Sequence, residues 1–191
     1  MQPLSYQVLP NSCWVTSMLN GLLLLYGDKN KMSGLVYRIL HAVLTDDGVC
    51  TSGRPRNDWI TVLEAIQIHT NLHIKVYLGA DVEPALRKLK FSNQVAVCDI
   101  EAGGHSILLT GRSGRWIDAF DPDWNNIKMR RNKPNAYVVQ PDEIRQHRLA
   151  RVNVLIIEDY LLRSGRGRKG DFQMGAVATR TLTILEKSRS K

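Results

Sequence analysis

Cysteine is scarce in this sequence, with three in 191 residues: Cys13, Cys50 and Cys98. No two of them form the close doublet of a zinc or redox motif, and an odd count does not fit a simple disulfide scaffold. Long apolar runs are also missing. The densest, Leu22 to Leu25, lies between Gly21 and Gly27 and falls far short of the roughly 20 residues that cross a bilayer. No basic start followed by an apolar stretch opens the chain, so no classical secretory signal is read there. Aromatics are few, at 7%, and they do not interleave with the Arg/Lys cluster near the C-terminus as a stacking surface for nucleic acid would require. The expectation is a reduced, cytoplasmic protein, with secretion by a non-classical route left open. Metal and other cofactors, an integral membrane segment and nucleic acid are not expected.

What remains is an ordinary globular balance, 43% apolar and 23% charged, in a chain long enough for one sizeable core. The net charge of +8 is unevenly placed. After residue 124 there are 15 basic and 6 acidic residues, against 11 and 12 before it. Such asymmetry suits attraction to an acidic partner, although a plain solvated basic surface has the same composition.

The pattern along the chain changes once. Pro10, Asn11 and Ser12 read as a turn feeding a helix, which Asn11 or Ser12 can cap. Trp14, Val15, Met18, Leu22 and Leu25 follow at helical spacing. A second helix is expected from Ser33 through Leu44, then a loop containing Cys50, then a third helix from Asp58 to about His69. Strands follow at His73–Leu78, Gln94–Ile100, Ser106–Gly111 and Arg115–Phe120, with a short helix at Val82–Leu89 and a turn at Ser113-Gly114. Tyr137–Val139, Val152–Ile157 and Val177–Ile184 add shorter strands. Pro141 to Glu143 can start a brief helix. Helices first and sheet second imply an α+β fold. The expected organisation is a single domain over 1–191: a helical part at about 10–70, an antiparallel sheet part at about 73–160, and a basic C-terminal extension at about 161–191. Arg163, Arg166, Arg168 and Lys169 fall among glycines at its start.

Four residues carry the chemistry. Cys13 opens the first helix, where unpaired amides and the helix dipole favour a thiolate. The competing account is an inert core thiol. Gln7 stands six positions earlier and can aim a side-chain amide at developing negative charge. His105 begins an apolar strand after Gly103 and Gly104, two glycines that permit close approach. His41, His69, His73 and His147 have neither that setting nor a carboxylate at the end of the next strand. Asp121, ahead of Pro122, is the expected orienting acid, and Asp118 is its rival. A thiol, an imidazole and a carboxylate in this order suggest nucleophilic catalysis. Cys50, in a glycine- and proline-punctuated loop, and Cys98, in an apolar strand, are expected bystanders.

Gln7 with Cys13, then Gly104-His105-Ser106-Ile107-Leu108-Leu109-Thr110-Gly111, then Asp121-Pro122 resemble the bacteriocin-processing, double-glycine-type cysteine peptidases of the papain-like superfamily. The resemblance covers roughly residues 5 to 125. It implies a papain-like fold, with a helical part bearing the nucleophile and an antiparallel sheet bearing the histidine and acid. It also implies the roles: Gln7 in the oxyanion hole, Cys13 as nucleophile, His105 as base, Asp121 orienting His105. One departure is Trp14, where that family commonly has glycine after the nucleophile. The implied function is hydrolysis of peptide bonds in a peptide or protein substrate. Acyl transfer on the same scaffold, or peptide binding by an inactivated one, are the alternatives.

Overall fold

The apolar spacing that begins at Trp14 forms helix α1, Cys13–Tyr26, in the computed structural model of the chain. Residues 13–26, 63–64, 67, 72–100, 104–122, 136–138, 154–163 and 172–188 are described by it. Val15, Met18 and Leu22 are fully buried, and burying side chains of this size contributes about 1.5–3 kcal/mol each. Trp14 is also buried and belongs to the same core, so the bulky residue after Cys13 packs inward.

The remaining elements are strands β1 (Leu72–Leu78), β2 (Gln94–Ile100), β3 (His105–Ser113), β4 (Trp116–Phe120), β5 (Ala136–Val138), β6 (Val154–Ile157) and β7 (Thr181–Lys187). Two short helices accompany them, α2 (Val82–Arg87) and α3 (Glu158–Leu161). The strands form one seven-stranded sheet in the order β1-β7-β2-β3-β4-β6-β5, and every pairing in it is antiparallel. An N-terminal helix on an antiparallel sheet matches the α+β expectation.

The central strands β2 and β3 are buried on both faces, which is why β2 reads as a nearly continuous apolar run instead of alternating. On one face α1 packs against Val95, Val97, Leu108, Phe120 and Leu185. On the other, Ala96, Cys98, Ile107, Leu109 and Ala119 meet Val82 and Leu86 of α2, together with Phe172 and Met174. Gly21 lets α1 lie close to the sheet: a Cβ there would stand 2.8 Å from Leu185 Cδ1 and 3.2 Å from Val95 Cγ2. At its C-terminal end, Lys187 Nζ donates to the Leu25 carbonyl at 3.4 Å and stands 5.5 Å from the centre of the Tyr26 ring. A cation is favoured there by the unpaired carbonyls and the dipole.

The end of the chain differs from expectation. Residues 181–187, assigned from sequence to a basic extension, form an interior strand between β1 and β2. The strand expected from Val177 starts at Thr181, because Val177–Thr179 is a 3-10 turn following Gly175 at φ 80°. Arg180 is likewise no surface charge. It is 3% exposed and donates from Nη2 to the Leu162 carbonyl at 2.7 Å and from Nε to the Gly175 carbonyl at 3.2 Å. The hairpin turn after β3 falls at Gly114-Arg115, one residue later than read, with Gly114 at φ 59°. The expected second helix lies outside the described residues. Of the third, Leu63, Glu64 and Gln67 are described as helical.

Candidate active site

His105 is the first residue of β3, and Asp121 is the first residue after β4. The two strands pair through Leu108↔Phe120 and Leu109↔Ala119. Alternation along each strand gives His105 the side of Ile107 and Leu109, and Asp121 the side of Ala119. The two side chains therefore meet at the end of the hairpin. His105 Nε2 lies 2.8 Å from Asp121 Oδ1, with exposures of 7% and 0%. When Asp121 is ionised its carboxylate only accepts, and the tautomer that fits this contact donates from Nε2. That tautomer leaves Nδ1 as the nitrogen able to take a proton.

Asp118, the rival acid, lies elsewhere. It pairs with Gly111 across the hairpin, and its Oδ2 occupies the space that a Cβ on Gly111 would fill, at 2.6 Å. A bulge between Leu109 and Gly111 accommodates this.

Cys13 is buried and is not in a disulfide. Its helix is anchored at three levels. The Ser17 hydroxyl donates to the Ser106 carbonyl at 3.5 Å, Gly21 faces Val95, Leu108 and Leu185, and Leu25 meets Lys187. These contacts orient α1 with its N-terminal end toward the strand end that carries His105. Cys13 stands one turn before Ser17 on the same helical face, about 6 Å further along the axis. The structure thus joins His105 to Asp121 directly, and joins the helix of Cys13 to the residue next to His105. Gln7 and Cys50 lie outside the described residues.

Cys98 is fully buried in β2, and its thiol is pushed well above its ordinary value, chiefly by burial and secondly by the neighbouring Asp99 charge. A thiol held neutral in this way is a poor nucleophile.

Sequence reasoning passed over one polar group at the site. Asp99 and Ser106 are cross-strand partners in β2 and β3, and Ser106 Oγ donates to Asp99 Oδ1 at 2.6 Å. The signal available was the alternation of the hairpin itself, which puts Asp99 on the side of Val95 and Val97, facing α1. Among the described residues, no helix is long and apolar enough to cross a membrane.

No protein-family model matches the chain, and no curated protein does either. A solved structure similar to it is that of a double glycine motif protease from an AMS/PCAT transporter in complex with the leader peptide. The identity is 18%, over 82% of this chain and 90% of that one, with a TM-score of 0.41.

Proposed function

We propose that this chain is a cysteine peptidase of papain-like fold. The observation that carries the reading is the buried His105–Asp121 hydrogen bond at 2.8 Å, at the end of the sheet toward which the N-terminal end of α1, and so Cys13, is directed. In this reading Cys13 and His105 form a thiolate–imidazolium pair. α1 packs on the face of Leu108 while His105 lies on the side of Ile107, so in this reading the two side chains meet around the end of β3. The thiolate attacks the scissile carbonyl, and the Cys13 N–H and the Gln7 side-chain amide hold the oxyanion. The imidazolium of His105 protonates the leaving amine. His105 then takes a proton from water, which attacks the thioester and releases the acyl group. Asp121 keeps the imidazole in the productive tautomer throughout. The substrate is a peptide or protein.

Alkylation of the purified chain by iodoacetamide at neutral pH tests this without a known substrate. Cys13 is expected to react first among the three cysteines, and His105→Ala is expected to slow its reaction at least about tenfold. Faster reaction at Cys50, or Cys13 reactivity indifferent to His105, overturns the proposal. Cleavage of a mixed peptide library, lost in Cys13→Ala, then distinguishes hydrolysis from binding.

A further inference from the structure

His105 stands at one end of the β2–β3 ladder. It forms the last rung between β2 and β3, opposite Ile100, with Gly104 immediately before it. On its other side β4 provides no partner, because the final rung there is Leu108↔Phe120. Among the described residues, backbone pairing therefore fixes residues 105 to 107 from the β2 side. A catalytic base tolerates little freedom, since displacement by about 1 Å can cost about a hundredfold in rate.

The adjoining rung supplies what the backbone does not. Ser106 Oγ to Asp99 Oδ1, at 2.6 Å, lies in the range of a charge-assisted hydroxyl–carboxylate bond. Both residues are buried, at 4% and 3% exposure. The bond clamps β3 to β2 directly beside His105 through side chains, in addition to the ladder. The carbonyl of the same Ser106 accepts from Ser17 of α1, one turn after Cys13. The strand of the base and the helix of the nucleophile are thereby referenced to one residue.

We infer that Ser106 and Asp99, tied to α1 through Ser17, are positioning residues that set the imidazole of His105 relative to Cys13. The inference rests on the peptidase reading above and adds to it a part of the machinery that touches no substrate.

The test uses the full chain and the rate of iodoacetamide alkylation at Cys13, with thermal melting recorded for each variant. Ser106→Ala is expected to lower the rate at least about tenfold while the melt stays cooperative. Ser106→Thr, which keeps the hydroxyl and suits a strand, is expected to restore it to within about twofold. A purely structural serine would lower the melting temperature and leave the reactivity of Cys13 unchanged. Wild-type reactivity in folded Ser106→Ala, with His105→Ala slow, overturns this inference and leaves the peptidase reading standing. Equal reactivity in wild type and His105→Ala overturns both. If Ser106→Ala does not fold, Asp99→Asn and Ser17→Ala take its place. A slowed Cys13 in either supports the inference, and wild-type rates in both overturn it.

Discussion

Asp121 holds one nitrogen of His105, and two substitutions separate what the hydrogen bond does from what the charge does. Asp121→Asn keeps an oxygen able to accept from Nε2. Asp121→Ala keeps none and leaves a buried N–H without that partner, at a cost of about 1–3 kcal/mol. Alkylation of Cys13 should therefore slow modestly in Asp121→Asn and about tenfold, approaching but not exceeding His105→Ala, in Asp121→Ala. Equal rates in the two would remove the orienting role. Cys98 gives a second prediction, in stability. Its folded thiol binds its proton more tightly than the unfolded one, whose ordinary value is 9.0. Below that value both states are protonated and the thiol adds no pH dependence. Above it the unfolded chain sheds a proton that the folded chain keeps, so stability falls as pH rises. Urea unfolding at pH 8 and pH 10 should show this loss, and Cys98→Ala should reduce it. Cys13, His105 and Asp121 could be proposed from the sequence because they stand at element ends, where a helix start or a strand exit marks them. Ser106 and Asp99 could not, because their meaning lies in a cross-strand contact and serine and aspartate carry no signal of their own inside an apolar strand.

Helix α1 sits against the sheet through Gly21, an arrangement that has a cost and a use. Glycine inside a helix is about 1 kcal/mol less favourable than alanine. In return the helix lies so close to the sheet that even a Cβ would have to displace the tip of Leu185 and crowd Val95 and Leu108. Gly21→Val should destabilise the fold by about 1–3 kcal/mol through overpacking. Because it pushes α1 away from β3, it should also slow alkylation of Cys13. A destabilised variant with unchanged Cys13 reactivity would show that the helix can shift without disturbing the site. The elements themselves were largely readable. Apolar spacing located α1, and runs rich in Val and Ile located β2 to β4 to within a few residues. The interior place of β7 was not readable, because its partner β1 lies about a hundred residues away, beyond the reach of any local pattern. Arg180, Glu186 and Lys187 also give the surrounding sequence the look of a surface tail. Arg180 in fact holds buried carbonyls, and Lys187 caps α1.

For the molecule as a whole, that last strand decides what can be removed. Leu182, Ile184 and Leu185 are buried in β7, and at about 1.5–3 kcal/mol each their sum approaches the roughly 5–15 kcal/mol by which a domain is stable. A chain ending at Arg180 should fail to give a cooperative melt, and a soluble, cooperatively folded truncation would contradict the topology. The charge surplus after residue 124 also divides. Arg180 and Lys187 are engaged in the fold, and Arg163 stands 5.2 Å from the centre of the Tyr160 ring.

The insertion of β7 between β1 and β2 also bears on how the sheet is assembled in time. Both of its neighbours are antiparallel to it, so β1 and β2 run parallel to each other with one gap between them. Residues 79–93 link them and include α2, a connection long enough to let the two strands pair directly as in a βαβ unit. A chain that made this early pairing would have filled the slot meant for β7 and would have to reopen before it could finish. The native order instead requires β1 to wait, unpaired on that edge, for a strand distant in sequence, and contacts of such long range form slowly. Refolding should therefore be limited by the arrival of β7, and the exposed edges of β1 and β2 are the surfaces through which two half-folded chains would pair with one another.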